Sequence, residues 1–144
     1  MKFKIIPFLL ALTLLSCNKD DGPNDNNPFL ITPIVNVSLN LNLPQFNALL
    51  FPGSSVELTQ QGVRGIIVYN VNNSLYTAFD LSDPNHIPNE CSRMEVEGIL
   101  ASCPCESDNN VYDIVTGQHN SDPTLFPLQQ YRAERIGDNV VISN

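Results

Sequence analysis

Hydrophobic and polar residues alternate strictly over residues 35–43 of this 144-residue chain. The apolar positions are Val35, Val37, Leu39, Leu41 and Leu43, and the polar positions between them are Asn36, Ser38, Asn40 and Asn42. Side chains that alternate with a period of two lie on opposite faces of a strand. The pattern therefore predicts a strand with one face in a core and the other in water, which ends at Pro44.

Shorter apolar segments separated by turn residues continue to the end of the chain, and no window shows sustained helical periodicity. Residues 45–51 favour at most a single helical turn. Strands are predicted at residues 55–59, 65–69, 75–79, 111–115, 129–136 and 140–143, with a short hairpin at 94–100. Strands at intervals of about 8–12 residues are typical of an all-β antiparallel sandwich or partly open barrel.

The first sixteen residues have the pattern of a targeting signal. Lys2 and Lys4 precede an apolar run over residues 5–15, which is too short to span a bilayer. The run ends at Leu14-Leu15-Ser16-Cys17, which resembles a bacterial lipobox, and this predicts that Cys17 carries lipid and begins the mature chain. The alternative is an ordinary signal peptide that happens to contain a cysteine.

A lipidated Cys17 places the protein in the bacterial cell envelope, anchored to the outer membrane, because several acyl chains on one residue hold a protein firmly. Residues 18–21, Asn-Lys-Asp-Asp, resemble a signal that sends some lipoproteins to the cell surface. Asp, Asn, Gly and Pro dominate the segment that follows, which cannot bury enough apolar surface to fold. We therefore expect a signal peptide at 1–16, a lipidated cysteine and flexible linker at 17–33, and one β domain at 34–144.

The net charge of −8 excludes one class of partner. Nucleic-acid binding requires Lys and Arg to neutralise phosphates, and this chain has 7 such residues against 15 Asp and Glu. The expected contact is with the membrane through the lipid, and the protein or small-molecule partner is not identified by the sequence. No nucleophile–base constellation or Gly-x-Ser-x-Gly motif is found, so no catalytic residues are expected and the chain is not predicted to be an enzyme.

Three cysteines remain once Cys17 is assigned to lipid. Cysteines of exported proteins are normally paired in disulfides. Cys103 and Cys105 are too close in sequence to pair without strain. Cys91 is therefore expected to pair with one of them, which leaves one thiol.

The order of motifs in the second half of the chain resembles that of the Rieske [2Fe–2S] domain. The resemblance covers roughly residues 62–144. It rests on Ala78-Phe79-Asp80, Cys91, Cys103-Pro104-Cys105, Tyr112-Asp113-Ile114, Thr116-Gly117, Pro127-Leu128-Gln129-Gln130-Tyr131 and Gly137-Asp138-Asn139-Val140-Val141-Ile142. It implies a Rieske-like all-β fold with two loops joined at one end, and a disulfide between Cys91 and Cys105.

The resemblance also assigns the cluster positions, which in this family are a Cys-x-His loop and a Cys-x-x-His loop. Asp83 and Asn85 stand where the first loop would have its cysteine and histidine. Cys103 matches the cysteine of the second loop, but Glu106 stands in place of its histidine. Amide and carboxylate oxygens are poor substitutes for thiolate and imidazole at iron–sulfur iron. The expected function is therefore a binding or structural module that lacks a cofactor.

Two alternatives stay open. The first is a Rieske-type [2Fe–2S] electron-transfer protein, either with atypical ligands or with the two loops aligned differently on the family pattern. The second is a mononuclear, zinc-like site formed by Asp83, His86, Cys103 and Glu106, which offer a mixture of oxygen, nitrogen and sulfur ligands. A simpler interpretation makes Asp83 a turn residue before a proline, and His86 and Glu106 solvated loop residues.

Overall fold

The computed structural model describes residues 27–144. The predicted signal peptide, Cys17 and the first part of the predicted linker lie outside the described residues. Within residues 27–144 the chain forms nine strands and one short 3₁₀ helix, Asn47–Leu50, so the predicted all-β class is confirmed. The strands are β1 Asn36–Asn40, β2 Ser55–Leu58, β3 Ile66–Asn70, β4 Tyr76–Asp80, β5 Glu95–Glu97, β6 Leu100–Ser102, β7 Val111–Asp113, β8 Gln130–Ile136 and β9 Asn139–Ser143.

The strands form two antiparallel sheets. A six-stranded sheet has the order β1-β9-β8-β4-β3-β2 and curls into a half-barrel, and a three-stranded sheet has the order β5-β6-β7. The hairpin of β8 and β9 turns at Gly137-Asp138, with Ile136 opposite Asn139, as the sequence predicts. The hairpin predicted at 94–100 extends to Ser102, because Leu100 already pairs back with Glu97.

β1 ends at Asn40, earlier than the alternation over residues 35–43 predicts. The Asn40 side chain accepts a hydrogen bond from the Asn42 backbone N–H at 2.9 Å, and the Asn40 carbonyl accepts one from Leu43 at 3.0 Å. Such contacts compete with strand pairing and turn the chain. Leu41 is nevertheless fully buried, whereas Leu43 is 42% exposed. The alternation therefore overestimated both the length of the strand and the extent of its buried face.

The central strands β3 and β4 bury both faces. Ile66, Val68, Tyr76 and Ala78 pack into the core enclosed by the curled sheet, and Ile67 and Phe79 pack into a second core beneath the three-stranded sheet. A strand with a core on each side needs apolar residues at every position, and this accounts for the continuous run Ile-Ile-Val-Tyr in β3. The second core also contains Cys103 and Cys105, so it forms the floor of the loop region.

A buried carboxylate fixes the end of β4, where the chain enters the first of the two loops. The Asp80 side chain accepts hydrogen bonds from the backbone N–H of Val63 at 2.6 Å, from that of Ser82 at 2.9 Å and from the Tyr131 hydroxyl at 2.9 Å. Burial raises the pKa of Asp80 above its usual value even though these donors lower it. The network ties β4 to β8 and to the turn before β3.

Residues 27–33 belong to the segment that the sequence assigns to the linker, and they contact the domain. The Asn27 side chain donates a hydrogen bond to the Pro84 carbonyl at 2.8 Å. The Phe29 ring packs edge-to-face on Phe126, with ring centroids 6.3 Å apart. No helix within the described part of the chain is long and apolar enough to cross a membrane.

Gly117 packs closely against the Phe79 ring in the second core, so a side chain at this position should destabilise the fold. Its φ of +75° is left-handed, and a Cβ atom there would lie 2.5 Å from Cε1 of Phe79. Gly98 has a similar φ of +63° but open space around a Cβ. We expect Gly117→Ala to lower the free energy of unfolding by about 2–5 kcal/mol, from left-handed strain and overpacking together.

Gly98→Ala is the matched control, because it tests the backbone strain without the clash. It should cost about 1–2 kcal/mol. Denaturant unfolding followed by circular dichroism measures both values. Equal losses in the two variants would contradict the assigned contact with Phe79.

Candidate functional site

Two loops meet at one end of the domain, as the family resemblance implies. The first loop comprises residues 81–94 between β4 and β5, and the second loop comprises residues 103–110 between β6 and β7. A Cys91–Cys105 disulfide joins them, with the two Cα atoms 5.1 Å apart. This is the pairing that the resemblance implies, and it leaves Cys103 as a buried free thiol.

Asp83 is fully buried where the loops meet. Its carboxylate accepts hydrogen bonds from the Tyr112 hydroxyl at 3.2 Å, the Asn110 side-chain amide at 2.9 Å and the Asn85 backbone N–H at 2.8 Å. A carboxylate removed from water requires such donors, because burying it without partners is costly. Asp83 therefore joins the first loop to the second loop and to β7.

The Asn85 side chain uses both ends of its amide in the same region. Its nitrogen donates to the Tyr112 hydroxyl at 2.7 Å and to the Phe126 carbonyl at 2.9 Å. Its oxygen accepts from the Phe126 backbone N–H at 3.0 Å. Burial and the nearby charge of Asp83 raise the pKa of Tyr112 well above its usual range, so the hydroxyl keeps its proton.

A separate group of donor atoms surrounds His86. Its Nε2 atom lies 3.5 Å from Cys103 Sγ, 3.5 Å from Asp108 Oδ2 and 3.8 Å from Asp83 Oδ2. The ligand atoms of His86, Cys103, Cys105 and Asp108 all lie within 4.8 Å of one another, a spacing that could hold a metal ion. Burial is the main cause that raises the pKa of the Cys103 thiol to about 12, and the Asp83 charge adds to it.

Cys105 cannot be a metal ligand while its disulfide is intact. Its sulfur is near the other donors, but it is bonded to Cys91. A disulfide sulfur carries no negative charge and is not the thiolate that metals bind. With the disulfide formed, the available donors are therefore those of His86, Cys103 and Asp108.

The structure brings together three of the four residues of the zinc-like site that the sequence suggests. Asp83, His86 and Cys103 are adjacent, whereas Glu106 is exposed and lies outside the donor group. Asp108, two residues farther along the second loop, occupies the place expected for Glu106. Sequence reasoning missed Asp108 because the family spacing points to Glu106, and only the course of the loop turns Asp108 inward.

The residues that the family resemblance assigns to the cluster positions do not fit a Rieske [2Fe–2S] cluster. Asp83 and Asn85 have their polar atoms engaged by protein partners, and Glu106 faces solvent. Cys103 is the one ligand of the family pattern that is retained. His86 lies one position beyond the expected histidine, and a second histidine is absent from the donor group around it.

Comparison with known proteins finds no matching family model and no matching curated protein. Among solved structures the chain is similar to one from the complex of reduced oxygenase and oxidised ferredoxin in carbazole 1,9a-dioxygenase, with 19% identity over 76% of this chain and 92% of that chain and a TM-score of 0.47. It is also similar to a Sphingomonas yanoikuyae B1 ferredoxin, with 21% identity over 65% of this chain and 88% of that chain and a TM-score of 0.44.

A third similar structure is the E. coli protein NirD, with 12% identity over 79% of this chain and 98% of that chain and a TM-score of 0.43. The neighbours are Rieske-type ferredoxins and nitrite reductase small subunits, with a Rieske-like fold. Identities under 25% and TM-scores under 0.5 show no shared ligand, so the function of this chain is argued from its own residues.

The double contact of Asn85 with Phe126 predicts a structural role that can be measured. Asn85→Ala removes three hydrogen bonds and leaves the Tyr112 hydroxyl with fewer partners. We expect the free energy of unfolding to fall by about 1–3 kcal/mol, the usual cost of polar groups that lose buried partners. Chemical denaturation checks this value.

Asn120→Ala is the control, because the Asn120 side chain is exposed on a neighbouring loop. A change within about 0.5 kcal/mol is expected there. If Asn85→Ala proved as neutral as the control, the amide would not hold the loops together.

Proposed function

We propose that this chain is a lipid-anchored protein of the bacterial cell envelope whose Rieske-like domain lacks an iron–sulfur cluster and serves as a binding or structural module. The observation that carries the proposal is the hydrogen-bond network of Asp83 and Asn85. These residues stand at the positions of the first loop's ligands, and their polar atoms are committed to Tyr112, Asn110 and Phe126.

The network opposes the alternative of an electron-transfer protein. To bind iron, Asp83 and Asn85 would have to give up six hydrogen bonds, four of which join the first loop to Tyr112 of β7 and to Phe126. A buried donor or acceptor left without its partner costs about 1–3 kcal/mol, and more when the group is charged. The oxygen ligands gained in return are poorly matched to iron–sulfur iron.

The disulfide and the network together perform the structural task that metal ligation would otherwise share. A disulfide closing about fifteen residues stabilises a fold by about 3 kcal/mol in the chain-entropy model. With the loops held in this way, the domain presents a fixed surface for a protein or small-molecule partner without a redox centre. It is not proposed to be an enzyme.

Iron and acid-labile sulfide analysis tests the absence of the cluster. We expect far less than one iron per chain and no sulfide in protein purified anaerobically. We also expect no rhombic electron paramagnetic resonance signal after reduction. Reconstitution with iron and sulfide before the same measurements controls for loss of a labile cluster during purification. Two irons and two sulfides per chain, with that signal, would favour the electron-transfer alternative instead.

Fractionation of cells tests the lipid anchor. The wild-type protein is expected with the membranes, because several acyl chains at about 0.8 kcal/mol per buried CH₂ hold it there. Cys17→Ala should release the protein or leave an unprocessed precursor. Cys103→Ala is the control, since it removes a cysteine from the domain and not from the lipobox. Equal membrane association of the Cys17→Ala protein would contradict the anchor.

A further inference from the structure

We propose that His86, Cys103, Cys105 and Asp108 form a binding site for a single divalent transition-metal ion of the zinc type, and that the Cys91–Cys105 disulfide gates this site. This site is additional to the proposed role as a binding or structural module, and it would hold one metal ion in place of an iron–sulfur cluster. While the disulfide is intact, three donors are available. Reduction of the disulfide supplies Cys105 as the fourth.

The distances from His86 Nε2 to Cys103 Sγ and to Asp108 Oδ2 match those between neighbouring ligands of a tetrahedral zinc ion. Zinc binds nitrogen and oxygen at about 2.0–2.2 Å and sulfur at about 2.3 Å, so neighbouring ligand atoms of a tetrahedron are about 3.3–3.8 Å apart. His86 Nε2 lies 3.5 Å from Cys103 Sγ and 3.5 Å from Asp108 Oδ2. One nitrogen, one carboxylate oxygen and two sulfurs form a set that zinc accepts.

The His86 ring is already oriented for a metal. Its Nδ1 atom lies 3.1 Å from the Ile87 carbonyl oxygen, which can accept a hydrogen bond only if the proton is on Nδ1. Nε2 then presents its lone pair to the donor group. Such a bond to a backbone carbonyl is the usual outer contact of histidines that bind metals.

Asp83 supports the site without being one of its ligands. Its Oδ2 atom lies 3.8 Å from His86 Nε2, but that oxygen accepts the Asn110 hydrogen bond and the other oxygen accepts two more. The carboxylate places a fixed negative charge beside the pocket, which favours a cation. His86 and Asp108 are each about one-fifth exposed, and this leaves an entry path from solvent.

The two sulfurs of the disulfide differ in access: a reductant can reach that of Cys91, and that of Cys105 lies beside the metal site. Cys91 is exposed, whereas Cys105 is 4% exposed. The Cys105 sulfur lies within 4.8 Å of the other three donor atoms while it is still bonded to Cys91. Release of the bond therefore requires only a small shift of Cys105 to complete the site.

The reaction balances with a dithiol as the reductant. The dithiol attacks Cys91 Sγ, the bond between Cys91 and Cys105 breaks, and the dithiol becomes a cyclic disulfide as the two cysteines become thiols. The metal ion then binds the sulfurs of Cys103 and Cys105, which release two protons to solvent. Exchange with an oxidised disulfide compound re-forms the Cys91–Cys105 bond, reduces that compound to its two thiols and leaves the ion with three protein ligands.

Cobalt(II) titration of the full chain carrying Cys17→Ala tests the proposal, because tetrahedral Co²⁺ with thiolate ligands has intense visible and charge-transfer bands. The protein is compared before and after treatment with a phosphine reductant, and Zn²⁺ competition gives the affinities. Loss of one outer-shell partner typically costs 10–100-fold in metal affinity. A direct ligand contributes more than an outer-shell partner, so gain of a thiolate ligand should tighten binding by more than about 100-fold. The charge-transfer intensity should double, from one thiolate to two.

Two cysteine variants separate the ligand from the bridge, since both lose the same disulfide. Cys91→Ser should bind Co²⁺ tightly without reductant, because Cys105 is then free. Cys105→Ser should bind weakly in either condition. Asp108→Asn keeps the disulfide and should weaken binding by the reduced protein, whereas Glu106→Gln should leave it unchanged.

Three results would overturn the proposal. One is equal Co²⁺ affinity in the oxidised and reduced wild-type protein. Another is equal affinity in the Cys91→Ser and Cys105→Ser variants. The third is loss of the β-sheet circular dichroism signal on reduction in the presence of Co²⁺, since the site requires both loops in place. Acid-labile sulfide is measured separately, so failure of this proposal is distinguishable from the presence of an iron–sulfur cluster.

Discussion

The need to satisfy one buried carboxylate determines how the loop region is built. Asp83 is completely buried, and its hydrogen-bond donors come from the first loop itself, from the end of the second loop and from β7. Removal of any donor would leave the Asp83 carboxylate short of a hydrogen bond in a medium of low dielectric, where unpaired polar groups are most costly. Asp83 therefore fixes the position of the two loops relative to each other, because both supply donors to its carboxylate.

A second buried carboxylate, three residues earlier, anchors the same segment to the main sheet. Asp80 ends β4 and binds Tyr131 of β8 and the turn that precedes β3. Residues 80–83 are all buried, so the chain passes from the six-stranded sheet to the loop region without an exposed hinge. Phe79 and Leu81, on either side of Asp80, both pack into the second core.

Local pattern was sufficient to predict most strands, because hydrophobic alternation and turn residues act over a few positions. The β8–β9 hairpin followed from Gly137-Asp138, whereas the burial of both faces of β3 emerged only from the structure. Side-chain competition for the backbone shortened β1, and no alternation reveals that in advance. Asp108 could not be predicted either, because its place beside His86 depends on how the second loop folds back between the disulfide and the Asn110 contact.

The hydrogen-bond network and the donor group around His86 lie side by side where the two loops meet. Asp83 and Asn85 are committed to holding the loops, and the donors that remain in the described part of the chain lie around His86. That group consists of a few nitrogen, oxygen and sulfur donor atoms that lie close to one another. Such an arrangement suits one ion with a tetrahedral preference, not two irons bridged by sulfide. The loops are thus held by hydrogen bonds and a disulfide, and a set of possible metal ligands lies beside them at this end of the domain.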